Sequence, residues 1–241
     1  MNKQTVALVM LLIVAVMQCG IAQTPLNNNV SGHVYQLPFA STGNSIELMV
    51  ANTAKAPLAR VKVTATDVPA WLRFIEKEQR IALLKSEQEM AVTFTFSVDK
   101  TAPVQKNETL KFVITAPTGE KWTKEITVAV AAPDKFEMFQ NYPNPFNPST
   151  AISYQLPAPS ARQTASGLGV EGSAVSRVSL KIYNLLGQEV ASLVDGDRLA
   201  GYHQEMWDAT RYASGVYVYQ LIATDERGSK QVARKRMLLL K

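Results

Sequence analysis

NYPNPFNPST, residues 141–150, packs three prolines and three asparagines into ten positions, with Tyr142 and Phe146 as its only large apolar side chains. Pro143, Pro145 and Pro148 each hold φ near −65° and lack a backbone donor. Tyr142, Asn144 and Asn147 each precede a proline and are steered from helix toward extended backbone. Asparagine side chains close local turns on their own backbone. The stretch therefore reads as a stiff, irregular connector, neither a helix nor a central strand. Tyr142 and Phe146 are expected to fasten it to the strand that follows.

Downstream, apolar and polar residues alternate with the period of a half-buried strand. Ile152, Tyr154 and Leu156 form one such face, and Val178, Leu180 and Ile182 the next, running into the turn NLLGQ. Gly187 sits where that turn needs positive φ, a conformation easiest for glycine. Ser214 and Gly215 open a run in which Tyr217, Tyr219 and Leu221 oppose Val216, Val218 and Ile222, and a basic–apolar run ends in MLLLK. Trp207 is expected to fill the core between these strands. Residues 157–176, PAPSARQTASGLGVEGSAVS, have almost no large apolar side chains and read as a flexible hairpin insertion.

Upstream the pattern is similar. Residues 23–43 are polar and loop-like. From Asn44 on, Ile46, Leu48 and Val50 share a face, as do Val61, Val63 and Ala65. Val92, Phe94, Phe96 and Val98 follow, then Leu110, Phe112 and Ile114, then Trp122, Ile126, Val128 and Val130 after a Pro-Thr-Gly turn. EKEQRIALLKSEQEM, residues 76–90, holds good helix formers but barely fills one helical face, and reads as strand–turn–strand. AAPDK at 131–135 breaks the two halves. The expectation is an all-β chain of two antiparallel Ig-like β-sandwich domains in tandem, residues 23–132 and 133–241, each about a hundred residues.

The 241 residues are 46% hydrophobic and 19% charged with a net charge of +5, which excludes wholesale disorder. The basic residues are spread out, no base-reading motif accompanies them, and no nucleic-acid partner is expected. The tight cluster Arg234, Lys235, Arg236 reads as a solvated strand edge whose charge discourages sheet-to-sheet pairing. At the N-terminus, Lys3 precedes an apolar run from Val6 to Met17, twelve residues, too short to span a bilayer. Gly20 and Ala22 follow at the −3 and −1 positions, the layout of a signal peptide covering residues 1–22 and cleaved after Ala22. A lipoprotein signal with Cys19 lipidated is the alternative. Cleavage after Ala22 would leave no cysteine, hence no disulfide and no thiolate metal site. No transmembrane span is expected.

No catalytic residue, metal site or cofactor is expected. The two histidines, His33 and His203, lie in different halves without partners for a triad or metal cluster. Trp71, Trp122 and Tyr35 read as core or edge packing, with a sugar-stacking platform as the alternative. That platform would make the first domain a carbohydrate-binding or adhesive module.

Taken together and in order, NYPNPFNPST, the Ile152-Tyr154-Leu156 run, VSLKIYNLLGQEV, AGYHQEMWDAT, ASGVYVYQL and the terminal RKRMLLLK resemble the type A C-terminal sorting domain of type IX secretion. That family is related to the Ig-like domain of the flagellar hook-capping protein. The resemblance covers residues 136–241. It implies that Asn141, Tyr142, Pro143, Asn144, Pro145, Phe146, Asn147, Pro148, Gly187, Trp207, Asp208, Gly215, Tyr217, Lys235 and Lys241 form the sorting motif. It also implies a secreted or cell-surface, non-enzymatic protein of a Gram-negative bacterium, exported through the periplasm. The implied partners are the type IX machinery, a surface sortase and a surface lipopolysaccharide, and the extended polar linker near residues 131–137 is the accessible place for a sortase cut. The sequence departs from the family in the long 157–176 insertion, in Glu205 where an apolar residue is usual, and in RKR where a lysine pair is usual. Residues 44–131 more loosely resemble the Ig-like domain of some α-galactosidases and other bacterial surface proteins, through VANT, VPAWLRF and VTFTFSV.

Overall fold

Side chains that alternate in character along an extended backbone bury one face and solvate the other, and this protein is built of strands that do so. The computed structural model describes Leu8–Val9, residues 34–158 and residues 175–241. Among those residues every element is a β-strand. Ala22, Cys19, His33 and most of the 157–176 insertion lie outside the described residues. The chain divides into two compact units, Met1–Ala131 and Ala132–Lys241.

The first unit runs β1 (Leu8–Val9), β2 (Val34–Leu37), β3 (Asn44–Asn52), β4 (Leu58–Thr66), β5 (Leu72–Phe74), β6 (Glu78–Leu84), β7 (Glu89–Val98), β8 (Asn107–Thr115) and β9 (Lys121–Val130). One sheet has the order β1-β3-β7-β5 and the other β2-β9-β8-β4-β6. The inward faces read from the sequence, Ile46-Leu48-Val50 through Ile126-Val128-Val130, form one buried core across both sheets. At its centre Phe94 and Phe112 stand 5.1 Å apart, with Phe74 edge-on to both at 5.8 and 6.1 Å. Residues 76–90 are strand–turn–strand, as expected. The buried Asn52 side chain donates to the carbonyls of Leu84 and Lys85 at the turn between β6 and β7.

Two features differ from the sequence reading. Residues 34–37, read as loop, are strand β2. Only Leu37 is fully buried there, so no alternation is visible in four residues, and the strand exists because β9 offers a free edge. Moreover β2 pairs with β9 in parallel, so the unit is not purely antiparallel.

The second unit runs β10 (Glu137–Met138), β11 (Ser149–Leu156), β12 (Val175–Tyr183), β13 (Glu189–Leu199), β14 (Gly201–Asp208), β15 (Gly215–Thr224) and β16 (Lys230–Leu239). A three-stranded sheet, β10-β11-β14, and a four-stranded sheet, β13-β12-β15-β16, enclose one core, and every pairing is antiparallel. Ile152, Tyr154, Leu156, Val178, Leu180, Ile182, Tyr219 and Leu221 are all fully buried. β13 buries only Val194, and irregularities at Leu180/Lys181 and Ile182/Tyr183 shift its register against β12. Glu205 faces inward opposite Ile152 on edge strand β14 and pairs with Arg198 at 3.7 Å, an inward charge of the kind that blunts sheet edges.

Candidate functional site

The residues after β10 do more than connect it to β11: they run along the outer edge of the C-terminal strand. The Gln140 side-chain amide donates to the Arg236 carbonyl at 2.9 Å. The Asn144 carboxamide oxygen accepts from the Leu238 amide at 3.0 Å. The Phe146 amide donates to the Leu238 carbonyl, and the Leu240 amide to the Phe146 carbonyl, both at 3.0 Å. Phe146 is bridged in parallel to Leu239. The backbone groups that edge strand β16 turns away from β15 between Arg236 and Leu240 are thus satisfied by this segment. Prolines suit such a strap, because an edge position need not supply every amide. The bonds preceding Pro143, Pro145 and Pro148 are cis.

Asn141 anchors the strap. Its side chain is buried and donates to the Pro143 carbonyl at 3.0 Å and to Thr150 Oγ1 at 2.9 Å. Thr150 Oγ1 in turn donates to the Pro143 carbonyl at 2.8 Å. The Asn141 amide donates to Tyr219 Oη at 3.0 Å, and that hydroxyl donates to the Phe139 carbonyl, also at 3.0 Å. The phenol of a core tyrosine therefore holds both ends of the strap's entry.

Phe146, 2% exposed, inserts beside Trp207 at 5.5 Å, and Trp207 meets Tyr212 at 5.5 Å and Tyr217 edge-on at 5.3 Å. Trp207 fills the core as expected. Tyr142 does not act as the sequence suggested. Its side chain is 81% exposed, and only its backbone is used, exchanging both hydrogen bonds with Ala151 at 2.9 Å. Positions four apart share a face of a regular strand, but this segment is irregular. Tyr142 pairs antiparallel with Ala151 whereas Phe146 bridges in parallel to Leu239, and of the two aromatics Phe146 alone takes a buried position.

Asp208 ends β14 by accepting from the Thr210 amide at 2.9 Å and from its hydroxyl. The hydroxyl bond, then the amide, hold the Asp208 carboxyl below the usual range. The loop so formed receives the chain end: Lys241 Nζ donates to the Thr210 carbonyl at 2.6 Å, and the Lys241 amide to Ser214 Oγ at 3.0 Å. Tyr217 Oη donates to the Ala213 carbonyl at 2.8 Å. Gly215 opens β15 with φ of 155°. The structure thus gathers residues 141–148, Trp207, Asp208, Gly215, Tyr217 and Lys241 at one end of the unit. Gly187, with φ of 81°, sits in the turn closed by Asn184, whose side chain accepts from the amides of Leu186 and Gln188 at 3.0 Å. That turn leaves Leu185 and Leu186 exposed. Lys235 is set apart from the chain end, six residues up β16 and opposite Tyr219, roughly 20 Å along the strand. Sequence reasoning missed Thr150 and Tyr219 as members of this network. Thr150 was within the quoted stretch, but nothing in the sequence shows which hydroxyl lies against the Pro143 carbonyl.

Residues 140–235 match the family model described as Secretion system C-terminal sorting domain. The match supports a type IX export sorting signal in the second unit. No curated protein matches this chain. Among solved structures, dimeric latent PorU from Porphyromonas gingivalis is similar at 11% identity over 99% of this chain and 20% of that one, with a TM-score of 0.33. This chain therefore spans a fifth of the length of that relative. The YadV chaperone aligns at 10% identity over 85% and 98% of the two chains, with a TM-score of 0.29. Fibronectin(III)-like modules of Clostridium thermocellum CbhA align at 16% identity over 86% and 88%, with a TM-score of 0.24.

The other candidate residues fall elsewhere. His203 stacks on Tyr154 at 5.2 Å, and its Nε2 donates to the Leu199 carbonyl at 2.8 Å. Trp71, Trp122 and Tyr35 each pack against the first unit's core. Tyr35 stands beside Val128 on β9, six residues from Trp122, roughly 20 Å away, so these two do not share one stacking surface. Among the described residues no group of three or more His, Cys, Asp or Glu could hold a metal ion, and no helix is long and apolar enough to cross a membrane.

Burial pushes the hydroxyls of Tyr154 and Tyr219 up from 10.0 to about 12, with the Glu205 charge adding to the rise at Tyr154. Each phenol binds its proton more tightly folded than unfolded. Each therefore contributes stability that is fully present below pH 10.0 and is lost as pH rises toward about 12. Alkaline titration of the second unit, followed by circular dichroism, is expected to show its stability falling steeply in that window. The double substitution Tyr154→Phe and Tyr219→Phe should flatten the slope, although Tyr219→Phe also loses two hydrogen bonds at neutral pH. An unchanged slope would show that these phenols do not couple to folding.

Proposed function

We propose that this protein is a secreted, non-enzymatic surface protein whose second unit is its export address, with the first unit as an Ig-like cargo module. In this reading residues 1–22 are a signal peptide cleaved after Ala22 that delivers the chain to the periplasm. The type IX machinery then recognises the folded second unit. A surface sortase cuts in the polar segment near residues 131–137, where extended chain is accessible, and the cargo is joined to a surface lipopolysaccharide. The observation that carries the reading is the strap. Motif residues 141–148 form the lateral support of the strand that ends the chain, and the Lys241 side chain is docked into the loop beyond Asp208. The motif's role is to present an ordered C-terminal strand on a unit with its own core.

The test is to place residues 133–241 behind a fluorescent protein bearing a periplasmic signal, in a host with a working type IX system. Fluorescence is expected at the cell surface or in the medium, and confined to the periplasm when the second unit is absent. Periplasmic retention of both fusions defeats the proposal.

A further inference from the structure

The strap covers only part of the outer edge of β16. It takes the Arg236 carbonyl, the Leu238 amide and carbonyl, and the Leu240 amide. The same alternation turns the amides and carbonyls of Lys230, Val232 and Arg234 outward. No described residue bonds them. A bare run of strand edge is a template for an incoming strand.

The chemistry around that run is one-sided. β16 carries Lys230, Arg234, Lys235 and Arg236 and no acid, while β15 beside it carries no charge at all. The cations of β12 are answered: Arg177 meets Asp195 at 3.2 Å and Lys181 meets Glu189 at 2.8 Å. Among the described residues, none of the four on β16 forms an ion pair. Arg234 Nε instead donates to the Gln220 side chain at 2.8 Å. Lys230, Val232, Arg234 and Arg236 share the solvent face of the sheet, and Val232 is 52% exposed between two cations.

We propose that the Lys230–Arg234 edge of β16 is a docking site for an extended segment of a partner protein, added as a further strand. On the solvent face the segment carries two acidic side chains flanking an apolar one at alternate positions, opposite Arg234, Val232 and Lys230. Backbone pairing supplies the fit and the alternating charges the selection. A second copy of this chain is the wrong occupant, since its own β16 would set four cations against four. That the partner belongs to the export machinery rests on the sorting function proposed above; the edge itself does not.

The probe is an acetylated, amidated TETVTET peptide titrated into the full chain by NMR, with TKTVTKT as its counterpart. Slowed exchange and shifted signals are expected at the Val232 and Arg234 amides with the acidic peptide alone. Reversing charge with Lys230→Glu and Arg234→Glu should weaken binding about tenfold, from the loss and inversion of two cross-strand pairs. Val232→Pro should abolish it. That amide points outward, so proline removes no bond to β15, and intact β15–β16 exchange protection confirms the fold. Equal binding of both peptides, or binding that survives Val232→Pro, overturns the edge. In the export assay, Val232→Pro is expected to leave the fusion in the periplasm while the unaltered fusion is exported. Export of both overturns the edge as the recognition site. Retention of the unaltered fusion overturns the sorting function instead.

Discussion

Replacing Trp207 with alanine is expected to cost the second unit about 3–5 kcal/mol, the range for deleting a large buried aromatic. Domains of this size hold roughly 5–15 kcal/mol in all, so much of the unit's stability would go. The loss should be concentrated at the strap. Trp207 is the surface on which Phe146 rests, and it also braces Tyr212 and Tyr217. Without it the Phe146 ring borders a void, and the bonds from the Phe146 segment to Leu238 and Leu240 lose their backing. Urea unfolding of residues 132–241 followed by circular dichroism gives the energy. Hydrogen exchange at the Leu238 and Leu240 amides gives the location, with protection expected to fall further there than at Leu180 in central strand β12. A cost under about 1 kcal/mol, or an even loss across the sheet, would contradict this role for the indole.

Asn141 carries the second large effect. Alanine there removes the donors to the Pro143 carbonyl and Thr150 and leaves a small hole, an expected cost of about 2–4 kcal/mol. Aspartate is the sharper probe because it keeps the shape. Its second carboxyl oxygen would sit where the amide nitrogen now donates to the Pro143 carbonyl at 3.0 Å, turning attraction into repulsion. Burial and that repulsion favour the protonated acid, so the folded pKa of the introduced group rises above its unfolded value of about 3.9. Such a group contributes stability that is present below the unfolded pKa and lost as pH climbs through the folded one. Asn141→Asp should therefore lie closer to the parent protein at pH 4 than at pH 7, whereas Asn141→Ala should show the same deficit at both. Parallel pH profiles for the two variants would refute the buried donor role.

Much of the fold was open to a reader of the sequence because most core strands advertise themselves. In β3, β7, β8, β11 and β12 burial alternates over seven or more positions, and the short apolar runs visible in the sequence (for example Ile152-Tyr154-Leu156 and Val178-Leu180-Ile182) are the buried faces. β13 was not legible. It buries Val194 alone, lies on an outer edge, and shifts register twice, so no periodicity survives. β2 was hidden for a related reason, since four residues cannot display a pattern. The candidate site was half legible. The stiffness of residues 141–150 follows from proline chemistry, but their partners do not.

Composition and alternation determined by themselves that this is a strand protein of two units, that residues 141–148 are neither helix nor central strand, and that the basic run near the end lies at a sheet edge. Those properties depend on residues near one another in the chain. Tertiary structure alone decided that Phe146 is buried while Tyr142 faces water, and that Tyr219 supports Asn141. It alone placed Asn144 against Leu238 and left the outer groups of Lys230, Val232 and Arg234 bare. The Phe146–Trp207, Asn141–Tyr219 and Asn144–Leu238 contacts join groups 61, 78 and 94 positions apart along the chain, where local propensity has no reach and only the packing of the two sheets sets the distance.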